Sequence, residues 1–280
     1  MEIEDIRRIG RRVYEGVRAV RVRGQHPLER GAGGDRTFPV DRLAEEIILS
    51  GLRGLGLKLH VVSEEAGILE MEGAGEPVTL AIDPVDGSKN AVAGISFFAS
   101  SIAAGPSRQE GQEGREGRLG DLESGYVINL VTGDEYWAVK GEGAFLNGQP
   151  IRCQSGPEIR LALFEASSPA RHLRPMLPLL EGAAKTRCLG SIALDLAFLS
   201  SGVASLFVSP APSRSFDYAA GYLLVKEAGG VFTDLDGNDL NDLAIGLGRG
   251  APLLASANPA IHRAAMKALA QNLKMKRDVR

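Results

Sequence analysis

Residues 83–90 read Asp-Pro-Val-Asp-Gly-Ser-Lys-Asn and follow directly on an apolar run, residues 78–82, of the kind that forms a buried strand. Two carboxylates three residues apart in one tight bend suit either an ordinary turn or a place that holds positive charge. Glu64 and Glu65 end another strand-like stretch, Asp41 follows a Gly-rich segment, and Asp217 opens a helical pattern. Taken singly, each acid has a plain use as a turn opener, a strand end or a helix cap. Taken together at neighbouring strand ends, they cannot all stay ionised without a cation. An all-oxygen set of Asp and Glu suits Mg²⁺ or Mn²⁺ rather than zinc, and Asp86 is placed to bridge two such ions. If a helix starts after Asp86, the amides of Gly87 and Ser88 point outward as an anion site, and glycine lets a phosphate come close. Metal carboxylates beside a phosphate cradle describe two-metal phosphoryl chemistry.

The elements that must position these groups follow from periodicity. Ile3, Ile6, Ile9, Val13, Val17 and Val20 recur at helical spacing over 3–22. Residues 24–41 read as a mobile loop or irregular hairpin, 41–54 as a helix, and 57–65 and 78–82 as strands. A strand over 95–105, a polar hairpin tip over 106–125 and two strand–turn repeats up to 148 complete a strand-rich first half. Beyond 153 strands alternate with helices, including one over residues 191–202 that is apolar nearly all round and one opened by Asp217. Residues 230–240 read as a hairpin turning at Asp236, Gly237 and Asn238. The pattern predicts an α/β (α+β) chain. It divides into an N-terminal α+β subdomain, 1–152, with most metal ligands, and a C-terminal α/β subdomain, 153–280, with the last metal aspartate and substrate contacts.

Composition narrows the function. With 280 residues, 44% hydrophobic and 24% charged, the chain can build a real core. A formal net charge of -3 argues against a nucleic-acid binder working by bulk charge. No apolar signal core opens the chain and no run reaches a membrane span, so a cytoplasmic protein with no membrane partner is expected. Cys153 and Cys188 have no metal-site spacing and are read as free buried thiols. The Asp234-Leu-Asp-Gly stretch invites a phosphatase-nucleophile or EF-hand reading, but too little chain follows it for the first and its glycine comes too early for the second.

The boxes Ser63-Glu64-Glu65, Asp83-Pro84-Val85-Asp86-Gly87-Ser88, Gly141-Glu142-Gly143-Ala144-Phe145-Leu146-Asn147-Gly148 and Phe216-Asp217-Tyr218-Ala219-Ala220-Gly221 occur in this order. In this they resemble the inositol monophosphatase superfamily, most of all its archaeal type, whose members often hydrolyse fructose 1,6-bisphosphate and inositol phosphates. The resemblance implies a layered αβαβα sandwich with an antiparallel N-terminal sheet and a smaller mixed C-terminal one. It implies two or three Mg²⁺ ions, with Mn²⁺ as a substitute, and a homodimer. By the same resemblance Glu64, Asp83, Asp86 and Asp217 are metal ligands with the Val85 carbonyl, and Glu65 is a weaker one. Ser88 and Asp41 orient and deprotonate the attacking water beside Glu64, residues 26–40 help bind a third ion, and Gly87 and Ser88 hold phosphate. Gly190 and Ser191 lie beneath the sugar, which Asp86 also contacts. The family's acidic sugar ligand is replaced by Pro210, so Arg171, Arg187 and Arg214 are read as holding a second phosphate. A nucleotide 3′-phosphatase or NADP phosphatase is the alternative within the superfamily, and a catalytically silent metal-binding regulatory protein the alternative outside it.

Overall fold

The structure, a computed structural model, describes residues 1–109, 115–166 and 169–278. Helix α1 (Ile3–Arg18) buries Ile6, Ile9, Val13 and Val17 on one stripe and ends four residues earlier than the periodicity suggests, leaving Val20 exposed. Helix α2 (Pro39–Arg53) starts on a proline, whose fixed φ suits the first helical turn. Strands β1 (Leu57–Ser63) and β3 (Ala74–Asp86) pair in parallel, with β2 (Gly67–Met71) returning as an antiparallel edge beside β1. The strand expected to reach residue 65 thus stops at Ser63. Glu64 and Glu65 lie in the turn that Gly67, at φ 79°, closes.

Helix α3 (Ser88–Ala93) and strands β4 (Ala99–Pro106), β5 (Arg108–Gln109), β6 (Arg115–Glu116), β7 (Ser124–Asn129), β8 (Glu135–Val139), β9 (Gly143–Leu146) and β10 (Gln149–Ile151) follow. The large sheet runs β10-β9-β8-β7-β4-β3-β1-β2, antiparallel except for the β1–β3 pair. The small sheet holds β11 (Ala162–Phe164), β12 (Thr186–Arg187), β13 (Leu206–Ser209), β14 (Val231–Thr233) and β15 (Leu253–Ser256) in the order β12-β11-β13-β15-β14, and it is mixed. The expected hairpin over 230–240 does not form. The Asp234 carboxylate accepts the amides of Asp236 and Asn238, so the turn closes on its own side chain, and β14 pairs with β15 instead.

Residue alternation sorts the large sheet into two faces. Leu59, Val61, Leu80, Ile82, Ile102, Tyr126 and Ile128 pack with α1 and α2. Val62, Ala81, Ala99, Ala103 and Val127 face helices α5 (Ile192–Ser200) and α6 (Ser215–Glu227), which lie between the sheets. Helices α4 (Pro169–Glu181) and α7 (Pro259–Asp278) cover the far side of the small sheet through Met176, Leu179, Ile261 and Ala265. The result is the five-layer αβαβα sandwich. Its middle layer is buried over most of its length, as the nearly all-apolar sequence of α5 implies. Among the described residues no helix is long and apolar enough to cross a membrane. Both cysteines are free, but neither is fully buried: Cys153 is half-buried and Cys188 exposed.

Small residues on the inner face let α6 approach β7. A Cβ on Gly125 would meet the Ala220 carbonyl oxygen at 2.9 Å and its Cα at 3.2 Å, both backbone atoms of α6. Gly125→Ala is therefore expected to destabilise the chain by about 1–3 kcal/mol in urea unfolding. Gly246→Ala, at a site with open space around it, serves as the control. Equal midpoints for the two variants would contradict this packing.

Candidate active site

The acids meet because β3 is irregular. Asp83 pairs with Ser101 and Asp86 with Ala99, so three steps along β3 oppose two along β4. This is a β-bulge, and it also accommodates Pro84, which has no ladder donor. In a regular strand, residues three apart face opposite sides. The extra residue returns Asp86 to the side of Asp83, facing α5 and α6. Both acids line one cleft of about 260 Å³ with Glu64, Val85, Gly87, Ser88 and Asp217. Glu64 reaches it from the turn after β1, its amide held by the Ile82 carbonyl at 3.1 Å, and Asp217 from the first turn of α6.

Gly87 turns the chain from β3 into α3 at φ 90°. A Cβ there would lie 3.0 Å from the Gly190 oxygen and 3.1 Å from that of Phe97, so glycine is required on both counts. Asn90 ties the same corner to the small-sheet half: its amide donates to Phe97 O at 2.8 Å and to Leu189 O at 2.7 Å. Ser191 caps α5, and Asp86 Oδ2 accepts both its hydroxyl and the Ala193 amide at 2.6 Å. Gly190 and Ser191 therefore stand directly against the bulge.

Electrostatically the floor is frustrated. Burial raises the pKa of Asp83 well above the carboxylate range, helped by the charges of Glu64, Asp86 and Asp217. Burial and the Asp217 and Glu65 charges raise that of Glu64 in the same way. Each of these two adds to the other's difficulty in ionising, because their charges repel within the same buried site. Burial pushes Asp86 and Asp217 up to about 7 each, against the hydrogen bonds from Ser191 and Ala193 and from the Arg214 amide. Asp83 Oδ1 is buried with no partner.

The Gly-rich loop packs over the acid turn. The Ala32 and Gly33 amides donate to the Glu65 and Glu64 carbonyls at 3.0 and 2.7 Å. Thr37 donates to the Glu65 carboxylate, which turns that acid toward the loop and away from the floor. Asp41 lies at the third position of α2, where Oδ2 accepts the Phe38 amide at 2.6 Å. Its Oδ1 is buried without a partner, and burial pushes its pKa up to about 8. Among the described residues no hydrogen bond joins Asp41 to Ser88.

The arginines are placed differently from the sequence reading. Arg214 lines the cleft, but Arg171 on α4 and Arg187 on β12 are exposed and outside its lining. The lining cations are instead Arg36, Lys89, Arg214 and Arg249. Sequence reasoning also missed Asp35, Glu165 and Asp195. Glu165 lines the cleft, accepts the Gly190 amide at 3.1 Å and is pushed by burial up to about 7. Asp195 is fully buried on α5 with neither oxygen partnered. The one sequence signal for it is an acid inside an otherwise apolar helix.

The donor set fits a divalent cation. Glu64, Asp83, Asp86 and Asp217 offer hard oxygen donors that repel one another and include an orphaned, buried oxygen. Among the described residues no three such side chains stand at ready ligand spacing. The physical reason is that each acid is turned to a substitute partner: Glu64 and Asp83 to each other, Asp86 to α5 and Asp217 to its own helix start.

A sequence model of the inositol monophosphatase family matches residues 18–274. A Methanothermobacter thermautotrophicus protein named fructose-1,6-bisphosphatase/inositol-1-monophosphatase is 33% identical over 245 residues, 86% of each chain. The Nus factor SuhB of Pseudomonas aeruginosa is 33% identical over 213 residues, 73% of this chain and 74% of its own. A solved Pyrococcus horikoshii structure, described as having similarities to inositol-1 monophosphatase, superposes with a TM-score of 0.77 at 25% identity. It covers 95% of this chain and 99% of that one. The chain belongs to the inositol monophosphatase family.

Proposed function

We propose that the chain is a Mg²⁺-dependent phosphatase that hydrolyses small phosphorylated sugars, fructose 1,6-bisphosphate and inositol 1-phosphate among them, by direct attack of water. The observation that carries this reading is the buried, half-orphaned Asp83 carboxylate among Glu64, Asp86 and Asp217, beside the glycine-opened start of α3. Bound Mg²⁺, or Mn²⁺ in its place, neutralises these acids and stabilises the charge that develops on a phosphoryl group. Glu64, Asp83, Asp86, Asp217 and the Val85 carbonyl are the groups we assign to holding it, with Glu65 in support from the loop side.

The chain's own groups supply the rest. Gly87 and Ser88 line the cleft at the start of α3, where amides have no intrahelical acceptor, so they suit phosphate oxygens. The Ser88 hydroxyl orients the attacking water. Asp41 keeps one oxygen on the start of α2 and has the other free to accept a proton. Gly190 and Ser191, locked by Asn90 and Asp86, form the wall beneath the sugar.

Phosphate release from a panel of fructose 1,6-bisphosphate, inositol 1-phosphate, NADP and adenosine bisphosphates is expected for the sugar esters, and only with Mg²⁺ or Mn²⁺. Release from none of them would end the enzyme reading. Asp83→Asn and Asp217→Asn should each lower kcat/KM by about a thousandfold with unchanged circular dichroism. Ser88→Ala should lower kcat about a hundredfold while KM stays within about threefold. A raised KM at unchanged kcat would contradict the role given to Ser88.

Stability should follow the buried acids. Asp86 and Asp217 titrate at about 7 in the fold, against 3.8 when exposed. Between those values the folded chain holds more protons than the unfolded one, so the metal-free chain loses stability as pH rises through this window. In EDTA the Tm should fall from about pH 5 to about pH 8, and added Mg²⁺ should raise it more at the higher pH. A Mg²⁺ shift of equal size at both values would contradict the assignment.

A further inference from the structure

The turn that carries Glu64 and Glu65 is tied to a neighbouring helix by one atom. Glu45 of α2 is buried beside it. Its carboxylate Oε1 accepts both the Ser63 hydroxyl at 2.5 Å and the Ala66 amide at 2.8 Å. Ser63 and Ala66 flank the two acids, so this single oxygen staples both ends of the acid turn to α2. The Gly-rich loop packs so close to the same turn that a Cβ on Gly33 would lie 3.0 Å from Glu64 Cγ. Glu45 stands four residues after Asp41, so these two buried acids lie on one face of α2, about one turn apart. The helix that carries Asp41 therefore also holds the turn that presents Glu64.

A buried carboxylate is a demanding choice for a structural tie. Glu45 has no cation at ion-pair distance among the described residues, and the nearby Arg42 is engaged by Glu29. Val40, Ala44, Ile48 and Leu52 already pack α2 into the core it shares with α1 and the large sheet. What the two hydrogen bonds add is local: they set the direction and reach of the acid turn. We propose that Glu45 is a positioning residue, stapling residues 63–66 to α2 so that Glu64 meets the cleft floor at a fixed offset from Asp41. This rests on the phosphatase reading above and deepens it. Without the staple the Ser63 hydroxyl and the Ala66 amide lose their acceptor, and the turn can shift with Glu64 on it. Groups that orient metal ligands from outside typically govern affinity by about 10–100-fold. A glutamine at position 45 keeps an oxygen acceptor of the same reach, and a leucine does not.

The test compares the full chain with Glu45→Gln, Glu45→Leu, Ser63→Ala and the Glu45→Leu/Ser63→Ala double variant. Each protein is stripped with EDTA, desalted and titrated calorimetrically with Mg²⁺ alone. Glu45→Leu should weaken binding about tenfold and Ser63→Ala about threefold, while Glu45→Gln stays within about twofold of the parent chain. The double variant should bind no more weakly than Glu45→Leu, because both substitutions act through one oxygen. At saturating Mg²⁺, Glu45→Leu should lower kcat for inositol 1-phosphate about tenfold with KM within about threefold. A Glu45→Leu variant that unfolds at lower urea yet binds Mg²⁺ as the parent does would overturn the assignment, since Glu45 would then serve the fold alone. So would a Glu45→Gln variant as weak as Glu45→Leu, since the charge and not the acceptor would then matter. Should Glu45→Leu fail to fold, Ser63→Ala decides, and parent-like Mg²⁺ binding by it overturns the staple. The Mg²⁺ titration needs no turnover. A failure of the phosphatase reading therefore shows as absent hydrolysis by the parent chain, and a failure of the staple as Mg²⁺ binding indifferent to positions 45 and 63.

Discussion

One extra residue in β3 governs the site. The bulge spanning Asp83 and Asp86 converts a spacing that would scatter two carboxylates onto opposite faces into one that sets both between the sheets. Pro84 is part of the same device, since a strand position without a ladder donor is tolerated where the ladder is already broken. Everything else at the site is arranged around that break. Glu64 reaches it from the parallel neighbour β1, and Gly87 turns the chain away immediately afterwards. The first turns of α5 and α6 close it from the other side.

The break also ties the two halves together. Asp86 takes two hydrogen bonds from the start of α5, and Asn90 reaches the carbonyl of Leu189. These polar ties cross between β3 and the small-sheet half at the point where the core cannot be apolar. The hydrophobic contact between halves runs largely through α6, whose Phe216, Tyr218, Ala220 and Leu224 are buried in the core between the sheets. Geometry at the acids is therefore set by a packed core rather than by a flexible hinge. That rigidity sustains so many like charges in one place, at the cost of pKa values far from their solution range.

Much of this was legible in the sequence, and the exceptions have physical causes. Local chemistry announced the paired acids, the glycine after Asp86 and the apolar helix over 191–202, because each depends on residue type over a few positions. Strand β2 was hidden because Gly67 to Met71 alternates weakly and two of its five residues are Gly and Glu. The 230–240 stretch misled because an Asp-Gly turn between apolar runs looks the same whether the second run pairs locally or not. The cleft cations were misassigned for a different reason. Arg36, Lys89 and Arg249 come from three separate segments, and only the topology brings them to one rim. Asp35 was passed over as one more polar residue in a Gly-rich loop.

The two halves of the cleft are unsatisfied in opposite senses, and that asymmetry limits what the site can hold. The floor has more carboxylates than cations, and Asp86 and Asp217 have turned to helix starts for partners. The rim has more cations than carboxylates and has drawn Asp35 in from a loop. A lone cation would settle the floor and leave the rim wanting, and a lone anion would do the reverse. A divalent cation together with a multiply charged phosphate ester satisfies both at once. The loop is part of the same balance, because the chain that brings Asp35 to the rim also lays the amides of Ala32 and Gly33 on the carbonyls of Glu65 and Glu64. One loop therefore carries both Asp35, on the rim, and the amides that hold the backbone of the floor acids, so the two charge imbalances are joined by a short stretch of chain.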